Sequence, residues 1–281
     1  LLNRKGVLLD VEDIGLRKRL LTRFNQDALY VPSGVIIITC PTGSGKTTTL
    51  YSALLKINNP NINVMTIEDP IEHVIPMIRQ TAINQKAGLT FGNALRSAMR
   101  QDPDVILVGE IRDQETAELA LRASITGHLV LSTLHTNDTA SAINRLLDLG
   151  INTSILAASL NMVVGQRLAR KICPHCATSE PIGPEETELF IRNDLEPPAD
   201  IPKAVGCESC DNTGYNGRSG IIEVLEVDRA MEELISAGAI HSKIEETASK
   251  SGTCLMFKQA LKKVARKTTS IEEIQRVIAY A

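Results

Sequence analysis

Large aromatic side chains are scarce in this sequence of 281 residues, which has no Trp, four Tyr and four Phe. Its core therefore has to be assembled from aliphatic side chains. An excess of either charge is lacking too: 30 Lys and Arg stand against 33 Asp and Glu, a formal net charge of −3. That balance excludes a strongly basic chain of the nucleic-acid-binding kind. No window approaches the roughly 20 apolar residues that span a bilayer. The longest apolar stretches, at 35–38 and 105–108, have the length of strands. The sequence opens Leu1-Leu2 with no start Met, signal h-region or basic transit segment, and reads as a fragment of a longer cytosolic polypeptide. Six Cys are too few for a disulfide scaffold at this length, and clustered thiols in the cytosol more often bind metal. What is left is ample chain for one or two domains with a sizeable core.

Residues 1–33 mix a short apolar-polar stretch with a charged run through Arg17, Lys18 and Arg19 that reads as helical. They are taken as the tail of a missing N-terminal domain plus an entry segment. From Gly34 to Arg170 the texture is α/β. Short β-branched or apolar runs at 35–39, 62–67, 105–108 and 129–133 alternate with helical periodicity at 46–57, 92–100, 113–126 and 138–149. That alternation predicts a mainly parallel sheet with helical cover. Residues 171–218 hold two CxxC pairs, a Pro/Glu-rich middle and the Gly-rich turn 213–220. Residues 219–281 read as a C-terminal helical subdomain, with helices at 231–237, 242–251, 257–266 and 271–280, the last capped by Ser270.

The strongest local signal is Pro41-Thr42-Gly43-Ser44-Gly45-Lys46-Thr47-Thr48, set between a strand and a helix. Glycines let backbone N–H groups close around phosphate, and the helix N-terminus adds partial positive charge. Lys46 would reach the β- and γ-phosphates, and the Thr47 hydroxyl would sit on Mg²⁺. One departure stands out: Cys40 occupies the place of the usual first loop glycine.

The run Asp104-Val-Ile-Leu-Val-Gly-Glu110 is an apolar strand ending in an acid, where ligands of open parallel sheets bind, so Glu110 can hold Mg²⁺ or its water shell. In Thr66-Ile-Glu-Asp-Pro-Ile-Glu72, Pro70 is expected to keep the backbone out of helix and turn Glu68 and Asp69 outward, one orienting the attacking water and the other serving the metal shell. His128 and His135 flank the apolar run between them, and His135, at its far end, is expected to contact the γ-phosphate and sense hydrolysis. Cys173-Pro-His-Cys176 and Cys207-Glu-Ser-Cys210 supply four thiolates, enough for a closed tetrahedral zinc site of structural type. Cys40 and Cys254 fall outside that set and read as small packed residues.

These boxes, in this order, resemble the secretion ATPases of type II secretion systems and type IV pilus assembly, over residues ~30–281. The phosphate loop is followed by an aspartate box (66–72), an acidic strand (102–113), a histidine box (126–137), Gln166-Arg167-Leu168-Ala169-Arg170 and the tetracysteine region. The resemblance implies a RecA-like P-loop ATPase core, a small tetracysteine zinc module and a C-terminal helical region. It implies a homohexameric motor using ATP, Mg²⁺ and Zn²⁺. Such a motor would lie at the cytoplasmic face of the bacterial inner membrane, held there indirectly by an inner-membrane platform protein and cytoplasmic-face assembly proteins. Residue by residue, Thr42, Gly43, Ser44, Gly45, Lys46, Thr47 and Thr48 match nucleotide binding. Thr47 and Glu110 match the magnesium site, Glu68, Glu110 and His135 the catalytic set, and Cys173, Cys176, Cys207 and Cys210 the zinc ligands. The division of labour between Glu68 and Glu110 is left open.

The family tends to have Gly where this chain has Lys267. It also supplies charge-neutralising arginines from the preceding domain, so the fragment alone is expected to bind ATP but hydrolyse it poorly. Export by a type II system is the leading expectation and pilus extension its alternative; the four cysteines argue against the pilus-retraction branch, which lacks that module. A nucleic-acid motor would want a basic channel that a net charge of −3 and eight aromatics do not supply. A nucleotide switch that does not hydrolyse is the remaining class.

Overall fold

A computed structural model describes residues 29–41 and 43–278. Thr42, the proposed entry helix through Arg17 and the last three residues lie outside them. Within the described residues the chain forms two compact units. One runs to Gly165 and takes back Val224–Thr253; the other comprises Gln166–Glu223 and the residues from Cys254 onward.

The first unit is built on strands whose apolar residues point to both faces. β1 (Gly34–Thr39), β2 (Val64–Glu68), β4 (Val105–Val108) and β5 (Leu129–Leu134) are buried along their whole lengths, as central parallel strands are. β3 (Arg79–Ala82), half exposed, forms the edge. Strand order is β3-β2-β4-β5-β1, continued by β6 (Leu160–Ile172) and β9 (Tyr215–Glu226). Every pairing among β1 to β6 is parallel. Helices α1 (Lys46–Ile57), α2 (Phe91–Ala98), α3 (Gln114–Ile125), α4 (Thr139–Asp148) and α5 (Thr153–Ser159) supply the connections. Thr90, Asp113, Asp138 and Asn152 cap the last four through their side-chain oxygens. The core is aliphatic, as the shortage of aromatics requires: Val35, Ile37, Ile106, Leu121, Val130, Ile143 and Val163 are each at most 1% exposed. Helices α7 (Arg229–Ser236) and α8 (His241–Lys250) contribute Met231, Ile235, Ile244 and Ala248 to that same core.

In the second unit β7 (Thr178–Pro181) and β8 (Asp200–Lys203) form an antiparallel pair around α6 (Pro184–Arg192). Its core joins Phe190 and Ile201 to Met256, Leu261 and Val264 of α9 (Met256–Ala265) and to Ile271 and Ile274 of α10 (Ile271–Val277). Glu223 is buried because its carboxylate accepts the Met256 N–H at 2.5 Å, capping α9 from outside the helix. Residues 215–226, expected in part to begin a helical run, are a strand instead. Ile221, Ile222, Val224 and Leu225 are all buried, as is Glu223 between them, the burial of a strand covered on both faces.

Lys267 follows the C-terminus of α9 with φ +57° and donates its N–H to the Val264 carbonyl at 2.8 Å. This left-handed position after a helix favours glycine, which explains the family's preference. A side chain there costs about 1 kcal/mol. Lys267 returns part of that through ion pairing to Asp200 at 2.7 Å. In an Asp200→Ala background, where the pair is already gone, Lys267→Gly is expected to stabilise this unit by about 1 kcal/mol. Chemical denaturation measures it, and no gain would show the position to be unstrained.

Candidate functional site

Because β2, β4, β5 and β1 are neighbouring parallel strands, their C-terminal ends share one edge of the sheet, where the chain places its polar residues. Register makes the alignment close: Ile67 pairs Val108, Val108 pairs Ser132, and Thr39 pairs Leu134. Glu68, Glu110 and His135 therefore leave the sheet together, beside the loop that follows β1. Lys46, Thr47, Glu68, Glu110 and His135 line one cleft.

The loop's conformational demands fall on two glycines. Gly43 and Gly45 have φ of +79° and +88°, in the left-handed region, and Gly45 leads directly into α1. Cys40 makes no such demand. It is fully buried, its φ is not positive, and its N–H extends the ladder to the Leu134 carbonyl at 3.3 Å. A glycine is therefore not required at position 40 for backbone reasons. Ser44 turns its hydroxyl back onto the Pro41 carbonyl at 2.6 Å, which closes the loop. Thr47 and Thr48 are half-buried in the first turn of α1.

Lys46 Nζ lies 3.3 Å from Nδ1 and 3.2 Å from Nε2 of His135, whose Nε2 is 3.5 Å from Glu110 Oε2. An ammonium only donates. The His135 tautomer with its proton on Nε2 satisfies both neighbours, with Nδ1 accepting from Lys46. Glu110, with its side chain 12% exposed, pairs with Arg112 at 2.5 Å through Oε1. Gly109 before it sits where β2 and β4 converge: a Cβ there would meet the Ile67 carbonyl at 3.2 Å. The histidine loop is tied to β1, since the Thr39 hydroxyl donates to the Thr136 carbonyl at 3.0 Å and accepts the Thr136 N–H at 3.2 Å.

The aspartate box differs from expectation. Asp69 is exposed, but Glu68 turns inward and is 5% exposed. As the last residue of β2 it keeps the strand's alternation, and three donors meet it: Tyr51 Oη, Thr66 Oγ1 at 2.5 Å and Gln80 Nε2 at 3.1 Å. Thr66 opens the aspartate box, but Tyr51 and Gln80 carried no motif. Tyr51 reads as an ordinary apolar position of α1, and Gln80 lies in a strand that the sequence pattern did not reveal. His128 lies at the opposite end of β5 from His135, where its Nδ1 bonds the Ala123 carbonyl at the end of α3 at 2.8 Å. That is a helix-terminus role rather than a place in the cleft.

In the second unit Cys173, Cys176, Cys207 and Cys210 bring their sulfurs within 4.8 Å of one another. Neighbouring pairs are 3.7 Å (Cys207–Cys210), 3.8 Å (Cys176–Cys210) and 3.9 Å (Cys173–Cys207) apart. Four ligands about 2.3 Å from a tetrahedral zinc would stand about 3.8 Å apart, so the donor set fits that ion. The N–H groups of Gly206, Cys207 and Gly214 point at these sulfurs from 3.2 to 3.3 Å. Burial opposes ionisation of Cys210, yet the Cys207 and Gly214 N–H groups hold its thiol down to about 6. Burial pushes Cys176 up to about 12 in the same cluster. Four crowded thiols cannot all lose their protons unless a cation joins them.

The same unit carries a second polar cluster. Arg170 lies 4.0 Å over the Tyr215 ring and pairs with buried Glu273 at 2.7 Å, and Arg276 pairs with the other Glu273 oxygen at 2.7 Å. Burial favours the neutral acid, but the Arg276 and Arg170 guanidiniums hold the Glu273 carboxyl down to about 2.

Known proteins match this chain along nearly its whole length. Residues 1–276 match the family described as type II/IV secretion system protein. Type II secretion system protein E of Aeromonas hydrophila is 43% identical over 279 residues, 99% of this chain and 55% of its own length. The type IV pilus assembly ATPase PilB of Thermus thermophilus is 43% identical over 275 residues, 98% of this chain and 31% of its own. The chain thus spans about half or less of the length of these relatives. Among solved structures, the pilus retraction motor PilT with bound ADP superposes with a TM-score of 0.72 at 29% identity, covering 96% of this chain and 67% of that one.

Proposed function

The chain belongs to the type II/IV secretion system protein family, and on that premise we propose that it is the ATP-hydrolysing part of a homohexameric motor for protein export by a type II secretion system. The observation that carries this reading is the convergence of Lys46, Glu68, Glu110 and His135 in one cleft at the end of a parallel sheet. In it, the backbone N–H groups of the 43–45 loop and the start of α1 take the phosphates, with Lys46 across the β- and γ-groups. Thr42 and Thr48 complete the nucleotide-binding set by their places in the sequence motif. Glu68 orients the attacking water and His135 registers the γ-phosphate. Glu110 and Thr47 line the cleft together and offer the oxygen donors that suit Mg²⁺. When bound there, Mg²⁺ would supply positive charge to the phosphates.

Charge also argues for help from outside the cleft. Among the described residues lining it, Lys46 is the only Lys or Arg, against the carboxylates of Glu68, Asp69, Glu72 and Glu110. A triphosphate adds further negative charge. Cations from the rest of the protein or a neighbouring subunit are therefore required for fast turnover, and the chain by itself binds ATP better than it hydrolyses it. Among the described residues no helix is long and apolar enough to cross a membrane, so in this proposal the motor reaches the inner membrane through a platform protein. The four cysteines hold a structural zinc.

Pilus assembly is the second reading, supported by the equal 43% identity to the pilus and secretion relatives. A deletion strain complemented with wild type or Lys46→Ala separates them. The Lys46→Ala strain is expected to stop exporting protein and to keep its pili. Loss of pili with normal export supports the second reading, and loss of neither overturns the motor.

A further inference from the structure

Two of the three donors that hold Glu68, Tyr51 and Gln80, are announced by no motif, and the way the three are spent leaves one position open. Its Oε1 accepts the Thr66 hydroxyl at 2.5 Å and the Gln80 amide at 3.1 Å, while its Oε2 accepts the Tyr51 phenol. A carboxylate has about four acceptor positions, two on each oxygen. Oε1 is therefore filled and one position remains on Oε2, in a side chain that lines the cleft with Lys46 and Thr47.

Each donor is itself anchored. Tyr51 is 1% exposed in α1, the helix that begins with Lys46, so this phenol and Lys46 are carried by one helix. Burial and the neighbouring carboxylate both raise its pKa, which keeps the phenol a donor. Gln80 uses both of its amide hydrogens and its oxygen. Nε2 also donates to the His73 carbonyl at 3.0 Å, and Oε1 accepts the Ile75 N–H at 2.7 Å. The carboxylate is thereby tied to the 73–75 backbone, in a segment whose Val74 is 84% exposed.

We infer that Tyr51 and Gln80 are positioning residues for Glu68. With Thr66 they occupy three of its acceptor positions and aim the fourth, on Oε2, at a water in the cleft. Gln80 makes that aim depend on the backbone that follows the aspartate box. The inference rests on the reading of Glu68 as the residue that orients the attacking water.

The alternative is that a buried carboxylate merely needs partners. Steady-state ATP hydrolysis by the full-length protein distinguishes the two. Tyr51→Phe keeps the ring and removes only the hydroxyl. It is expected to lower kcat about tenfold, the scale of a hydrogen bond to a charged group, with KM for ATP and ADP affinity within about twofold of wild type. Gln80→Ala is expected to lower kcat at least about fivefold with the same unchanged KM, and it carries the test if Tyr51→Phe fails to fold. A kcat within twofold of wild type in the folded variants overturns the inference, as does a loss confined to KM or ADP binding. Glu68→Gln tells the two failures apart. If it hydrolyses ATP normally, the reading of Glu68 has failed. If it is inactive while Tyr51→Phe and Gln80→Ala are not, only the positioning role has failed.

Discussion

Lys46→Ala is expected to reduce ATP hydrolysis by about a hundred- to a thousandfold and to lose most of the nucleotide affinity, because it removes the only Lys or Arg among the described residues lining the cleft. The four carboxylates would then face the phosphates with no Lys or Arg among the described residues lining the cleft, Arg112 outside it being paired to Glu110. Glu110→Gln is expected to behave differently. It preserves the side chain's shape beside His135 and Arg112 but removes the charge intended for Mg²⁺, so ADP binding without metal should survive while hydrolysis falls about a hundredfold. The contrast is the informative part. Parallel losses in both variants would mean that Glu110 mainly holds the local fold, and hydrolysis near the wild-type rate in Lys46→Ala would defeat the proposed role of the cleft. Fluorescent-ADP titration beside phosphate release measures both quantities.

The strands of the first unit were legible because each is short, apolar and buried on both faces, and because Gly, Pro or Asn punctuates the ends. That alternation put Glu110 and His135 just past strand ends, and it set the motif at 43–46 between a strand and a helix. What stayed hidden has a common cause. β3 reads Arg-Gln-Thr-Ala, an edge strand with no apolar run to mark it, and so Gln80 gave no sign of its partner. β6 and β9, at 13 and 12 residues, interleave Arg, Gln, Lys and Glu with apolar positions, and the buried polar residues among them broke the pattern. Glu68 was assigned to the right strand but the wrong direction. Pro70 governs the backbone after it, whereas the inward turn is set by the alternation of β2 and by the phenol of a residue 17 positions earlier, which no local rule connects. The strain at Lys267 was legible only as a departure from the family, and its cause is the φ of +57°.

Removing the metal is expected to have the other large effect, and to have it in one unit. Between Cys173 and Gly214 the buried apolar residues apart from the cysteines are Phe190, Ile201 and Pro202. That is too little apolar surface to offset the entropy of ordering some forty residues. The ends of the segment are joined by the Cys173 N–H to the Gly214 carbonyl at 3.0 Å and by the sulfur cluster. A structural zinc in small peptides supplies on the order of 10 kcal/mol, and a good fraction of that is expected here. Protein purified without chelator should carry about one zinc per chain by elemental analysis. Chelation, or Cys207→Ser, should abolish hydrogen-exchange protection in β7, α6 and β8. The helices α9 and α10 should keep theirs, because Met256, Leu261, Val264, Ile271 and Ile274 bury one another and Glu273 holds Arg170 and Arg276 without help from the sulfurs. Protection in β1, β4 and β5 and the affinity for ADP should stay within about twofold, since those strands fill a separate core. Absence of zinc together with unchanged protection would remove the metal from the account. Loss of ADP binding on chelation would instead show that the sulfur cluster supports the nucleotide cleft, which its place in a separate unit argues against.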